Sequence, residues 1–239
     1  MALSGELLAL HHKEDDYKGD EFLVGTQIYN KTTHMVAGVS NAGKTTLIEH
    51  AVPLVENSAM VGTVTDRGYK EDDPGNYVYF SSDHIKFLIN DDQMVNYAVH
   101  PATGKLYGTL PESFPAKHNF LPTMVTSMKQ IERAGFDETT RTYITMEGVS
   151  WRGLIEAVDF KGSRRARMEE GITSLTTAEQ EAETFQFVRN VLGETGLKQA
   201  TNDLIAVTVG GEEGYDRNKA VEDIREMLAI AKDLAVRSE

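Results

Sequence analysis

Apolar positions along this chain fall into short blocks that switch between continuous runs, a period of two and a period of three to four. Met35-Val36-Ala37 is a continuous run fit for a buried strand, and Thr46-Leu47-Ile48-Glu49-His50-Ala51-Val52 continues after it as a helix. Upstream, residues 7–12 read as a short helix and residues 22–29 as an extra strand. Met60-Val61-Gly62-Thr63-Val64-Thr65 reads as a strand, and so does Tyr77-Val78-Tyr79-Phe80. Pro74-Gly75 between them is a turn signal. Ser81-Ser82-Asp83 is a helix N-cap run leading into residues 84–90. Residues 94–99 and 105–107 read as a hairpin across His100-Pro101-Ala102-Thr103-Gly104. Residues 111–122 read as a loop and an insertion. Met124, Val125, Met128 and Ile131 then fall at helical spacing, and Gly135 stops that helix. Residues 141–146 and 154–160 are strand candidates, and residues 176–192 form an amphipathic helix. Residues 204–209 read as the last strand. Residues 216–236 read as a closing helix with Ile224, Leu228, Ala231 and Leu234 on one stripe.

Strands alternating with helices predict an α/β fold, a mostly parallel sheet covered on both faces in three layers. The stretch 63–109 breaks that rhythm. It is strand-rich and hairpin-like, so it predicts a small β-rich subdomain inserted into the core.

Composition narrows the class. The chain has 239 residues and 40% hydrophobic content, enough for one α/β domain with small appended parts. It contains no cysteine, which excludes disulfides, a thiolate nucleophile and Cys-ligated zinc. Leu7-Leu8-Ala9-Leu10 is too short for a signal peptide core, and no stretch approaches a membrane span. These features predict a cytoplasmic protein. Net charge is −13, from 37 acids against 24 bases. Such a surface repels nucleic acid and anionic membranes. It repels nucleotides too, so a nucleotide site must build a local positive field. No metal-ligand cluster stands out. His11-His12 reads as a solvated tail and Trp151 as core.

One motif carries chemistry. Gly38-Val39-Ser40-Asn41-Ala42-Gly43-Lys44-Thr45 fits G-x-x-x-x-G-K-[ST], the phosphate-binding loop, between a strand and a helix. Its glycines let the backbone curl so that successive N–H groups face phosphate oxygens. Lys44 would reach the β- and γ-phosphates, the Thr45 hydroxyl would ligate Mg²⁺, and Asn41, Ala42, Gly43 and Thr46 would complete the cradle. The helix N-terminus adds its positive dipole end.

Further motifs follow in order: Thr63-Val64-Thr65-Asp66-Arg67-Gly68-Tyr69-Lys70, Tyr77-Val78-Tyr79-Phe80-Ser81, Met94-Val95-Asn96-Tyr97-Ala98 and Tyr107-Gly108-Thr109. With them the chain resembles guanylate kinase, a P-loop nucleoside monophosphate kinase, over residues 35–110. The later matches are loose, and residues 1–33 have no counterpart. The resemblance implies a P-loop NTPase core at 34–62 and 110–239, an acceptor-binding subdomain at 63–109 and a small lid at 161–177. It implies ATP and Mg²⁺ as cofactors and a nucleoside monophosphate as substrate. Arg67 and Tyr77 would grip the acceptor phosphate, with Lys70 standing where the family has a second arginine. Thr63, Tyr107 and Thr109 would line the acceptor site. Arg167, in the basic cluster Lys161, Arg164, Arg165 and Arg167, would cover the transferring phosphoryl. A homodimer is compatible with this reading; nucleic acid and membrane partners are not expected.

The chain departs from the family where the base is read. Asn96 stands in place of a glutamate, and an amide both donates and accepts. Guanine therefore does not follow as the base, and other nucleotides, including deoxynucleotides, enter. The family's Asp-x-Asp is missing, with Glu147 standing nearby. Alternative readings are a kinase of another small phosphate ester, a guanylate-kinase-like module that binds phosphopeptides without catalysis, and an ATPase or GTPase switch using Asp159. The intact Gly38, Gly43, Lys44 and Thr45 argue against the binding module.

Overall fold

The computed structural model describes residues 5–14, 17, 19, 28–38, 42–71, 75–100, 103–144, 186–188 and 193–210. In chain order its elements are α1 (Gly5–Lys13), β1 (Thr32–Ala37), α2 (Lys44–Ala51), β2 (Ser58–Met60), β3 (Thr63–Thr65) and β4 (Tyr77–Tyr79). Then come α3 (Ser82–Asn90), β5 (Asn96–Val99), β6 (Leu106–Thr109), β7 (His118–Pro122), α4 (Met128–Arg133), β8 (Glu138–Ile144), β9 (Gln186–Val188) and α5 (Gly193–Ile205). The strands form a five-stranded sheet, order β2-β7-β1-β8-β9, and a four-stranded sheet, order β4-β3-β6-β5. In the larger sheet β2 runs parallel to β7, and β8 parallel to β9. The fold is mixed α/β with a parallel sheet.

Every residue of β1 is buried, the mark of a strand covered on both faces. It begins three residues before the apolar run, because Thr32, Thr33 and His34 are buried with it. His34 satisfies one ring nitrogen against the Thr140 hydroxyl at 2.9 Å. At α3 the N-cap signal holds: the Ser81 hydroxyl accepts from the His84 N–H at 3.2 Å. Gly135, at φ 91°, ends the turn after α4.

Four expectations are corrected. Residues 60–65 are two strands in two sheets. Val61 donates to the Phe120 carbonyl at 2.9 Å and Gly62 to that of Ser113 at 3.3 Å, so the chain changes sheets there. The stretch expected as an inserted loop contains β7, a strand inside the larger sheet. Its Phe120 and Leu121 are buried, and buried Asn119 donates to the Ala116 carbonyl at 2.7 Å. Within the expected helix 176–192, residues 186–188 pair in parallel with residues 142–144 as β9. The expected last strand at 204–209 is the end of α5 and a π-type turn, Ala206–Gly210. Buried Ala200, Leu204 and Thr208 recur every four residues, and the Thr208 hydroxyl donates back to the Leu204 carbonyl at 2.6 Å. The expected strands at 22–29 and 154–160 and the closing helix at 216–236 lie largely or wholly outside the described residues, as does the lid segment 161–177.

The chain divides into two compact units. One comprises Met1–Thr33, Asn57–Leu121 and Thr126–Thr139; the other His34–Glu56, Pro122–Val125 and Thr140–Glu239. The first contains the four-stranded sheet. One face of that sheet is its core: Val64, Leu106, Tyr97 and Val99 pack with Ile85, Leu88 and Ile89 of α3 and with Met94, Leu10 and Tyr17. In the second unit α2 packs against α5.

Candidate functional site

One candidate region is the turn from β1 into α2. Gly43 precedes the helix at φ 83°, ψ 17°, a left-handed conformation that glycine enters without a Cβ penalty. A Cβ on Gly38 would lie 3.2 Å from the Ile144 carbonyl and 3.3 Å from the Ala42 Cβ, so this approach also favours glycine. Lys44, the first residue of α2, donates from Nζ to the Gly38 carbonyl at 2.7 Å. Its ammonium thereby bridges the two ends of the turn. Gly43, the N-cap of α2, makes no side-chain cap bond, and the helix's first turn carries no acid. A helix start of this kind favours an anion through its first-turn N–H groups and its dipole. Ala42 is buried, Thr45 half-buried and Thr46 exposed. Asn41 lies outside the described residues.

A second candidate region, in the other unit, is the remaining face of the four-stranded sheet. Strand registers set Thr63 opposite Tyr77, Thr65 opposite Tyr79 and Tyr107, Ala98 opposite Tyr107, and Asn96 opposite Thr109. Side chains alternate along a strand, so these eight share one face. Seven of them carry a hydroxyl or an amide. A sheet that packs an apolar core on one side and gathers hydroxyls on the other has a surface suited to hydrogen-bonding a polar ligand.

Arg67 adds charge to that face. Its guanidinium carbon lies 4.3 Å from the centre of the Tyr77 ring, a cation–π stack. The residues before it are fixed. The Thr65 hydroxyl donates to the Leu106 carbonyl at 2.8 Å and accepts from the Arg67 N–H at 3.2 Å. The Asp66 carboxylate accepts from the Leu106 N–H at 2.8 Å. Burial pushes the Tyr107 phenol above its ordinary value, and the Arg67 charge pulls it partly back. Arg67, Tyr77 and Tyr107 therefore form one electrostatic group. Lys70 is exposed beyond them.

Asn96 and Thr109 form a buried pair. The Thr109 hydroxyl donates to Asn96 Oδ1 at 2.5 Å. The bond takes one of the two acceptor positions of the amide oxygen, and Nδ2 remains the residue's donor. Gly108, between Tyr107 and Thr109, has no room for a side chain. A Cβ there would lie 2.3 Å from Met94 Cε and 2.5 Å from the Asn96 carbonyl oxygen.

The structure thus places Gly38, Ala42, Gly43, Lys44, Thr45 and Thr46 at one turn. It places Thr63, Tyr77, Asn96, Tyr107 and Thr109 on one sheet face, with Arg67 stacked on Tyr77. Arg167 and Glu147 lie outside the described residues. Sequence reasoning missed Thr65, which shapes the turn into Arg67; the Thr-x-Arg spacing was its only signal. It also missed Gln130, a buried polar residue on α4 that bonds Tyr97 on both backbone groups. Among the described residues no group of three acids and histidines could hold a metal, and no helix is long and apolar enough to cross a membrane.

No protein-family model matches the chain, and no curated protein matches it by sequence. Among solved structures it is similar to guanylate kinase from Anaplasma phagocytophilum, with a TM-score of 0.51 and 14% identity. The similarity covers 82% of this chain and 96% of that one. At that identity the likeness shows the fold: this chain is built on the architecture that guanylate kinase has.

Proposed function

We propose that the chain is a nucleoside monophosphate kinase that moves the γ-phosphoryl of ATP to a (deoxy)nucleoside monophosphate. The carrying observation is that a guanylate-kinase-like fold holds Gly43 left-handed and Lys44 across the turn at the start of α2. Phosphoryl transfer asks mainly for positioning and charge stabilisation. Lys44 and the first-turn N–H groups of α2 would hold the β- and γ-phosphates, with Gly38, Asn41, Ala42, Gly43 and Thr46 forming the cradle. A hard cation that keeps several waters and leans on substrate phosphates needs few protein ligands. The half-buried Thr45 hydroxyl fits that demand. Bound Mg²⁺ would neutralise charge on the transferring group.

In this reading the four-stranded sheet is the acceptor-binding subdomain and residues 161–177 the lid, with Arg167 over the transferring group. Arg67 and Tyr77, supported by Lys70, would hold the acceptor phosphate. The hydroxyls of Thr63, Tyr107 and Thr109 would line the nucleoside. Asn96, whose oxygen accepts from Thr109, would offer its amino group to an acceptor atom on the base edge.

The test is ADP release from ATP–Mg²⁺ with GMP, dGMP, AMP, CMP, UMP and dTMP each offered in turn, and Lys44→Ala as the control. Acceptor-dependent ADP is the expected result, reduced at least about a hundredfold by Lys44→Ala, a residue acting on transition-state charge. ADP release that is unaltered in Lys44→Ala overturns the site. No acceptor-dependent release, with ATP still bound, moves the assignment to a kinase of another phosphate ester or to a binding module.

A further inference from the structure

Among the described residues, strand β5, which carries Asn96, is the last strand of its sheet. No described strand bonds the N–H and C=O groups on its outer side. Side chains take that place. Gln130 Oε1 accepts from the Tyr97 N–H at 2.9 Å, and its Nε2 donates to the Tyr97 carbonyl at 3.1 Å. One side-chain amide thus copies the peptide group that a further strand would supply. The same Nε2 donates to the Glu14 carbonyl at 2.6 Å. Glu14 Oε1 accepts from the Val99 N–H at 2.6 Å.

The segment before β5 is held in the same way. The Tyr17 hydroxyl donates to the Met94 carbonyl at 3.1 Å and accepts from the Met94 N–H at 3.2 Å. The Tyr97 hydroxyl donates to the Leu10 carbonyl of α1 at 2.7 Å, and the Tyr17 and Tyr97 rings meet edge to face at 4.9 Å. Leu10 and Tyr17 are buried in the core cluster beneath the sheet. An ion pair, Lys86 with Glu6 at 2.6 Å, joins α1 to α3 at the surface.

All of these bonds reach β5 from its edge or from the face opposite Asn96. None occupies the hydroxyl-rich face. Met94 and Tyr97, two positions before and one after Asn96, are each held through both backbone groups.

We infer that the arm made of α1, Glu14 and Tyr17, joined by Gln130, positions Asn96 and so sets the affinity for the acceptor. The inference rests on the kinase reading above. Glu14, Tyr17 and Gln130 are positioning residues, since they touch the strand and not the face that would meet the substrate. Losing one bond lets β5 sample positions in which the Asn96 amide is misplaced for the acceptor. The arm and β5 belong to one compact unit and the Lys44 turn to the other, so ATP handling is not expected to follow.

The experiment measures KM for the preferred monophosphate and for ATP in the full chain, in Glu14→Ala and in Tyr17→Phe, with amide hydrogen exchange at Tyr97 and Val99. Tyr17→Phe removes one oxygen and leaves the ring. Glu14→Gln keeps an acceptor for the Val99 N–H and serves as the rescue. In Glu14→Ala the Val99 amide exchanges about tenfold faster or more, as a lost protecting bond allows. The acceptor KM rises about five- to tenfold in each variant, the range one hydrogen bond spans. KM for ATP and kcat stay within about twofold, and Glu14→Gln recovers most of the loss.

Faster exchange with an unchanged acceptor KM overturns the inference and leaves the arm a structural brace. Equal rises in both KM values overturn it as general destabilisation. Unchanged exchange in Glu14→Ala overturns it at the bond itself. If the unaltered chain shows no acceptor-dependent turnover, the kinase reading fails and the inference with it, an outcome the other three cannot mimic.

Discussion

Under the proposed kinase reading, Asn96 is the residue at which one acceptor would be told from another. Its oxygen already accepts one bond from Thr109, and its Nδ2 carries the donors that a carboxylate lacks. A carboxylate at the same position accepts only. Asn96→Glu should therefore raise preference for a base with N–H donors on its edge, GMP over the other monophosphates, by about tenfold or more in relative kcat/KM, since unpaired buried polar groups discriminate strongly. The measurement is the ratio of kcat/KM values across the acceptor panel before and after the change. An unaltered ranking would place Asn96 outside the base site. Thr109 should couple to Asn96 because the two share one buried bond. In the same reading Lys44 differs in kind: it would act on any polyphosphate and confer no choice among acceptors.

Strand β6 shows how an element can be fixed by what it lacks. Gly108 faces the apolar core, where Met94 Cε and the Asn96 carbonyl fill the space a Cβ needs. Gly108→Ala should cost about 1–3 kcal/mol, the usual range for overpacking. A urea midpoint lowered by that amount, with unchanged slope, checks it; an unchanged midpoint would mean β5 and β6 separate without strain. The Tyr-Gly-Thr run was legible only through the resemblance to guanylate kinase, and the close approach at Gly108 was not read from it. The same resemblance picked out Thr63, Tyr77, Asn96, Tyr107 and Thr109, and the strand registers add that they share one face.

Other elements were not legible. Strand β7 is short, ends in Pro122 and holds a buried Asn119 that only its bonds to neighbouring backbone make tolerable. The run at 204–209 is continuously apolar, so period alone does not tell a strand from a helix. The repeat Ala200, Leu204, Thr208 decides it, because that spacing puts all three on one helix face. Gln130 gave no local sign. Its partners lie 33 and 116 positions away, so only the fold brings them together.

For the whole molecule, pH is a lever with a definite sign. Burial pushes the phenols of Tyr17, Tyr97 and Tyr143 above their ordinary value of 10.0. At Tyr97 the charge of Glu14 adds to the push. A phenol raised in the folded state favours folding fully below its unfolded value. That contribution is lost as pH climbs past 10 toward the folded value, since the unfolded chain ionises first. The urea midpoint should hold between pH 8 and 9 and fall clearly by pH 11. The late part of the absorbance titration of tyrosinate at 295 nm should coincide with unfolding. Late absorbance that rises while the fold persists would mean these phenols reach solvent without unfolding. The net charge of −13 grows as lysines are neutralised at high pH and adds repulsion in the same direction.

The bonds between the arm and β5 also impose an order in time. Leu10 and Tyr97 stand 87 residues apart, and Tyr17 and Met94 stand 77 apart. At a synthesis rate of about 5–20 residues per second, the arm waits roughly 4–17 seconds before its strand exists. Gln130, which joins the two, is made later still. On the ribosome, Leu10 and Tyr17 therefore spend those seconds without the partners that bury them, a window in which a nascent-chain chaperone has something apolar to hold.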